Sequence, residues 1–271
     1  MTAALRVSAP SETASKPAVS ACRSCGAELT RTFLHSHIPP LRILVCEHCL
    51  LVQLPRFATP QPPSNWSDAE TRLEHARKYT DRVVEELRLS PRHVVAQIAS
   101  EGGYALDYFV AQGIPVLGIP VGGFTGSTAA AFRDEGVLAD LLFANDVLAQ
   151  VEDPNALLAG MKILLAARGV MTVEFPQLLR LVDGRDPFQK IQHGQICYFS
   201  LFTASRLFLQ NGFTIYDVDE LDTQGGSLRL FASHSEDPLR PITPRVDAFL
   251  DREHEAGLDS LEFYAQFAGE T

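Results

Sequence analysis

Positive charge is scarce in this 271-residue chain, which carries 23 Lys and Arg against 33 Asp and Glu for a formal net charge of -10. Nonspecific affinity for nucleic acid comes from neutralising phosphates with Lys and Arg, and no basic stripe stands out, so a nucleic-acid partner is excluded. Long apolar runs are missing as well. No uninterrupted hydrophobic stretch approaches the ~20 residues of a membrane-spanning helix, which excludes a membrane protein. Residues 1–20, rich in Ala, Ser, Thr and Pro, lack the apolar segment of a secretory signal and are expected to form a disordered tail. A cytoplasmic location is the resulting expectation. What is present is a hydrophobic content of 46%, enough for a substantial core in one large domain or two modest ones.

Four of the five cysteines form two Cys-x-x-Cys knuckles, Cys22 with Cys25 and Cys46 with Cys49. Paired knuckles at this separation match a four-thiolate structural zinc site, with two redox pairs or two disulfides as the alternatives. Such a site is closed and stabilises the fold without doing chemistry. With four thiols available, His35, His37 and His48 are expected to be surface or packing residues. Cys197, the unpaired fifth cysteine, is expected to be a buried, inert thiol. The Pro-rich segment ATPQPPSNW then breaks regular structure, and its Trp66 has no position that the sequence can fix.

Residues 91–176 read as an alternating α/β unit. The apolar run 94–98 leads through Gly102 and Gly103 into a segment with Leu106, Phe109 and Val110 at helical spacing. Strands follow at 115–119, 139–144 and 170–175, with a helix at 156–165. Strands alternating with helices imply a parallel sheet covered on both faces, with a site beyond its carboxyl ends. That places the candidate site at 99–103, 120–123, 144–150 and 175–177. A helix is expected at 68–87 before the sheet and another at 199–209 after it. Residues 213–221 and 227–233 pattern as an antiparallel pair turning at Gly225-Gly226, and 243–267 as an amphipathic acidic helix.

With these pieces in order, the chain resembles the deoxysugar C-methyltransferase family of antibiotic biosynthesis. The motifs that carry the resemblance are the two knuckles, RLEHARKY at 72–79, GIPVLGI at 113–119, NDVLAQVEDPN at 145–155, VEFPQLLRLVDG at 173–184, HGQICYFSL at 193–201 and GGSLRLF at 225–231. The resemblance implies an α/β fold: a Rossmann-like methyltransferase sheet with a small N-terminal zinc-binding module and an α/β C-terminal extension. The implied division is a zinc module at 21–57, a methyltransferase-like core at 58–185 and a C-terminal segment with its terminal helix at 186–271. It also implies methylation, from S-adenosylmethionine, of the carbon beside a keto group of a nucleotide-linked sugar.

Departures from the family pattern fall at the places that matter for this chemistry. Where the family has an acidic residue ending the first strand and a carboxylate ending the second, this chain has Gln97 and Pro120. Cofactor contacts would fall to Gln97, Ser100, Glu101, Gly102 and Asn145, which leaves S-adenosylmethionine binding doubtful and zinc the one firm cofactor. The family's Tyr-His-Glu-His run is here Gln192-His193-Gly194-Gln195, and Gln150, Gln177 and Gln224 stand where relatives have histidine. Carbon methylation needs a base, and amides cannot serve. These substitutions point to an enzyme that has lost methyl transfer and carries out a cofactor-independent cyclisation, isomerisation or elimination on a natural-product intermediate. Its expected site residues are Glu174 as base, His193 as the alternative base, and Gln177, Gln192, Gln195 and Tyr198. A working C-methyltransferase acting on a keto sugar or related substrate is the first alternative, and a silent pseudoenzyme the second. Self-association as a homo-oligomer is left open.

Overall fold

The computed structural model describes residues 19–37, 40–55, 69–99, 104–182 and 195–267. Residues 1–18, the Pro-rich segment 58–66 with Trp66, residues 100–103 with Ser100, Glu101 and Gly102, and Gln192 with His193 lie outside them. The described chain is mixed α/β, as expected, and is built on two sheets.

The smaller sheet is antiparallel and joins β1 (Thr32–His37), β2 (Pro40–Val45), β3 (Val52–Gln53) and β8 (Cys197–Tyr198) in that spatial order. The larger sheet contains β4 (Val95–Ala99), β5 (Val116–Pro120), β6 (Ala139–Asn145), β7 (Leu165–Pro176), β9 (Phe213–Leu221) and β10 (Ser227–His234), in the order β5-β4-β6-β7-β10-β9. Its first four strands run parallel. β10 lies antiparallel to both neighbours, so the expected hairpin completes the sheet's edge. Short apolar runs bounded by Gly, Pro and Asn suit strands buried on both faces.

Helices cover both faces. α1 (Ala69–Leu87) and α2 (Tyr104–Ala111) pack Ala76, Tyr79, Val83, Ala105 and Phe109 against Val95, Leu141, Phe143 and Phe231. The opposite face, with Ala96, Ile98, Leu142, Val173 and Leu230, meets α3 (Gly126–Asp134), α4 (Pro154–Leu164), α6 (Leu201–Gln210) and the cysteine module. α4 begins at Pro154 because Asp153 accepts the Ala156 N–H and proline supplies the first turn's φ without needing a donor. A second core lies between the smaller sheet and α5 (Leu178–Val182), and it includes Phe33, Val45, Leu181 and Tyr264. The acidic tail is two helices, α7 (Pro244–Glu255) and α8 (Leu261–Ala265), where the amphipathic pattern suggests one; Gly257, at φ 86°, turns the chain between them. No helix among the described residues is long and apolar enough to cross a membrane.

Glu253 fastens α7 to α6. Its carboxylate is buried and accepts the backbone N–H groups of Leu201 at 2.7 Å and Phe202 at 2.8 Å, which begin α6. Burial pushes its proton affinity up to about 7 despite those two donors. A raised carboxyl value means that the folded state holds the proton more tightly. The stability Glu253 contributes is therefore fullest below the unfolded value near 4.5 and is lost as pH climbs through about 7. Glu253→Ala is expected to cost about 1–3 kcal/mol in urea unfolding, because two buried donors lose their acceptor. The difference from the parent protein should be larger in mild acid than in mild alkali. Equal stability at both pH values would refute this account.

Candidate active site and metal centre

Strand register assembles a polar row that lies across four strands at the carboxyl edge of the parallel sheet. Asn145 on β6 stands opposite Glu174 on β7, Glu174 opposite Arg229 on β10, and Arg229 opposite Asp219 on β9. Side-chain alternation puts this row on the face covered by α1. Glu174 is 1% and Arg229 3% exposed, and the Arg229 terminal nitrogen donates to Glu174 Oε2 at 2.6 Å. Thr223 donates to Glu174 Oε1 at 3.1 Å. His75, from α1, places Nε2 3.1 Å from Glu174 Oε2 and 3.0 Å from the Arg229 nitrogen. Arg229 also lies over the Tyr79 ring at 4.5 Å, and the Tyr79 hydroxyl meets Thr172 Oγ1 at 2.7 Å. At the far end, Asp219 pairs with Arg82 and Arg245, and Arg245 reaches Asp217 as well.

This setting changes the role expected for Glu174. Burial alone would raise its carboxyl, but the Arg229 charge and the His75 contact outweigh it and hold the group down at about 2. A carboxylate that rarely accepts a proton at neutral pH is a poor general base and a good orienting anion. His75 carries no role in the sequence reading. Its spacing from Ala76, Tyr79 and Val83 puts it at the edge of the helix face turned to the sheet, but its partners lie far along the chain.

β4 leads to β5 on one side and the chain then returns to β6 on the other, so a crevice opens beyond the carboxyl ends of β4 and β6. Asn145 ends β6 there, and Gln97 lies two residues before the end of β4. Gln97 Oε1 and Asn145 Oδ1 are buried oxygens with no hydrogen-bond donor among the described residues. Buried acceptors without donors are costly, and they suit a ligand that brings N–H or O–H groups. Pro120 ends β5 and offers neither.

The remaining expected site residues divide. Gln177 follows β7, donates to Glu220 at 3.2 Å and keeps its own carbonyl oxygen unpartnered among the described residues. Its backbone N–H reaches Gly226, whose φ of 119° favours glycine; a Cβ there would come within 2.6 Å of Arg180. Gln195 is buried. Tyr198 does not join this group: β8 pairs it with Val52, and its ring packs in the second core with Leu178 and Leu181. The two-residue β8 is too short for sequence periodicity to reveal. Cys197 is fully buried, and burial pushes its thiol up to about 12, in keeping with an inert cysteine.

Cys22, Cys25, Cys46 and Cys49 converge, with all four sulfurs within 4.8 Å of one another. Two sulfur pairs stand 3.5 Å apart. A tetrahedron of Zn–S bonds of about 2.3 Å has edges of about 3.8 Å, so the donor set fits zinc. Each knuckle turns the same way, with Gly26 at φ 76° and Leu50 at φ 66° directly after the second cysteine. The carbonyls of Cys22 and Cys46 accept the N–H groups of those two residues at 2.9 Å. His48 is exposed and takes no part.

Two amides lock the module in place. Gln53, fully buried, accepts the Arg23 N–H at 3.1 Å and donates to Cys22 Sγ at 3.2 Å. Asn155 donates to the carbonyls of Arg23 and Ser24 at 2.8 and 2.9 Å, tying the first knuckle to α4. An N–H aimed at a thiolate stabilises the ligand form and fixes its direction. Gln53→Leu is expected to weaken zinc about 10–100-fold in competition with a chromogenic chelator. Unchanged affinity would remove this role.

Comparison with known proteins agrees with the motifs. Residues 222–271 match the C-methyltransferase C-terminal domain family. The C-methyltransferase NovU of Streptomyces niveus is 28% identical over 251 residues, covering 84% of this chain and 59% of the relative. This chain thus spans about three fifths of the length of the curated relative it matches. Two solved structures share 16% identity: a magnesium protoporphyrin IX methyltransferase from Synechocystis (TM-score 0.46, 60% of this chain, 84% of that one) and a Burkholderia thailandensis 1,6-didemethyltoxoflavin-N1-methyltransferase (0.45, 70% and 98%). Likenesses at these scores carry no functional argument.

The sequence relatives correct two expectations. Lost methyl transfer, with a cofactor-independent cyclisation, isomerisation or elimination in its place, has no support: the matching relative is a C-methyltransferase and the end of the chain matches a C-methyltransferase domain. Doubt over S-adenosylmethionine falls with it, since it rested on single positions such as Gln97 and Pro120. Gln97 and Asn145 each keep a buried acceptor oxygen without a donor among the described residues. By sequence, this chain is similar to a C-methyltransferase over most of its length, and its residues 222–271 match a C-methyltransferase C-terminal domain.

Proposed function

We propose that the protein is an S-adenosylmethionine-dependent C-methyltransferase acting on a keto sugar or a related small molecule. The observation that carries this reading is its similarity to a C-methyltransferase along 84% of its length. The unsatisfied oxygens of Gln97 and Asn145 support it, because they provide acceptors for the donor's amine and hydroxyl groups at the crevice of the sheet. Bound there, S-adenosylmethionine supplies an electrophilic methyl group. The protein's own task is to hold the acceptor beside it, exclude water and remove a proton from the carbon next to the carbonyl. Gln177, whose carbonyl oxygen has no partner among the described residues, suits the orientation of an acceptor hydroxyl. Gln192, His193 and Gln195 complete the candidate set.

Calorimetric titration with S-adenosylmethionine and S-adenosylhomocysteine, together with mass spectrometry of a nucleotide-linked keto-deoxysugar incubated with both protein and donor, tests the reading. Donor binding and the gain of one methyl by the sugar are expected. Absence of donor binding by the zinc-loaded protein would defeat it.

A further inference from the structure

We propose that Arg23 is the counter-charge of the cysteine metal centre and acts on it through the Gln53 amide. Two arginines are buried among the described residues, Arg229 and Arg23. Arg229 has Glu174 at 2.6 Å. Arg23, 9% exposed, has no carboxylate partner among the described residues, and its guanidinium meets only neutral acceptors. Nη1 donates to Gln53 Oε1 at 3.3 Å and to the Leu54 carbonyl at 2.6 Å, while Nε is buried with no acceptor. A guanidinium keeps its charge in any protein setting, and a buried charge without an opposite one is strongly unfavourable. Some anion must therefore answer it.

The cysteine centre supplies that anion. Ligating cysteines are thiolates, so one divalent zinc held by four of them carries a net charge of about -2. Two disulfides, the other state open to these cysteines, would be neutral and would leave Arg23 unanswered. The connection runs through Gln53, which takes the guanidinium on its oxygen and donates its own N–H to Cys22 Sγ at 3.2 Å. A cation at the oxygen end polarises the amide and strengthens the N–H as a donor to a thiolate. Both ends of this fully buried glutamine are thus used. A glutamate in its place would satisfy Arg23 and repel the sulfur. The backbone holds the arginine in position, because its N–H donates to Gln53 Oε1 at 3.1 Å and its carbonyl accepts from Asn155 at 2.8 Å. The role is independent of which small molecule the protein methylates.

Zinc affinity of the full-length protein, read in competition with a chromogenic chelator, separates charge from hydrogen bonding. Arg23→Gln keeps a side-chain donor without the charge and should weaken zinc about 10–100-fold. Arg23→Lys keeps the charge without the planar fork and should bind zinc more tightly than Arg23→Gln. Cobalt in place of zinc gives a second reading at saturating metal, where affinity no longer enters. A positive charge beside the sulfurs lowers the energy of their electrons. The thiolate-to-cobalt absorption of Arg23→Gln should therefore move to longer wavelength, and that of Arg23→Lys should move less. Equal zinc affinity in the two variants would make Arg23 a hydrogen-bonding residue only and overturn the charge role, as would a cobalt spectrum of Arg23→Gln that matches the parent. Both variants are isolated metal-loaded, so a defect in metal-free folding leaves the cobalt comparison intact. A parent protein that binds neither zinc nor cobalt overturns the centre and its counter-charge together.

Discussion

Arg229→Met is expected to cost about 3–5 kcal/mol of stability at neutral pH, read as a fall in the urea unfolding midpoint. The reason is what the substitution leaves behind. Glu174 is 1% exposed, and Arg229 is the full positive charge within hydrogen-bonding distance that offsets its burial. Breaking a buried pair from one side strands a charge that water cannot reach. Acid gives the sign check. In the parent protein Glu174 sits at about 2 against an ordinary 4.5, so its contribution is complete above the unfolded value and disappears as pH falls through about 2. Without Arg229, burial acts with less opposition, the folded carboxyl rises, and acidification should narrow the gap between variant and parent. A second change tests the same cause: Glu174→Gln added to Arg229→Met removes the stranded charge and should recover part of the loss. A double variant less stable than Arg229→Met would show that the energy lies elsewhere in the row, for instance in the stacking of Arg229 on Tyr79 at 4.5 Å.

That row also marks the limit of what the sequence discloses. The parallel strands were legible because each is a short apolar run closed by glycine, proline or asparagine, and the hairpin because Gly225-Gly226 separates two such runs. The zinc ligands were legible because chain spacing alone nearly determines the geometry of a knuckle. Register between strands is not local in this way. Asn145, Glu174, Arg229 and Asp219 come from four separate strands, and pairing aligns them only when β10 inserts between β7 and β9. Glu174 was therefore visible as an acidic residue near a strand end, but its neutralising arginine was not, and the two readings of its chemistry are opposite. His75 was hidden for the same reason. Helical periodicity turns it toward the sheet, yet says nothing of which residue it meets. Tyr198 shows the converse case, a residue beside a candidate motif whose strand belongs to the other sheet.

Stripping the metal should have the widest effect of any single perturbation. Zinc-finger peptides gain an apparent 10–16 kcal/mol, roughly, from a structural zinc, and the four buried or half-buried cysteines here have the same donor set. The effect should extend beyond the knuckles because β3 is shared. Val52 and Gln53 pair with β2 on one side and with Tyr198 and Cys197 on the other, and Leu54 donates to Ile196 at 2.8 Å. Gln53 also hydrogen-bonds Cys22 Sγ, so releasing that sulfur loosens the strand that anchors residues 196–198. Those residues directly follow the site segment that ends at Gln195. Hydrogen exchange of chelator-treated protein is therefore expected to show lost protection at 44–54 and also at 196–198, far along the chain. The amides of β4, β6 and β7 should keep theirs longer, since parallel pairing among themselves holds them. Cys22, Cys46, Cys49 and Leu51 nonetheless share one apolar cluster with Phe175, Phe199 and Leu201, so the thermal midpoint of the whole unit should fall as well. Protection lost at 44–54 alone would make the module an independent appendage. Loss at 196–198 with it would make zinc a support of the candidate-site segment, acting through Gln53.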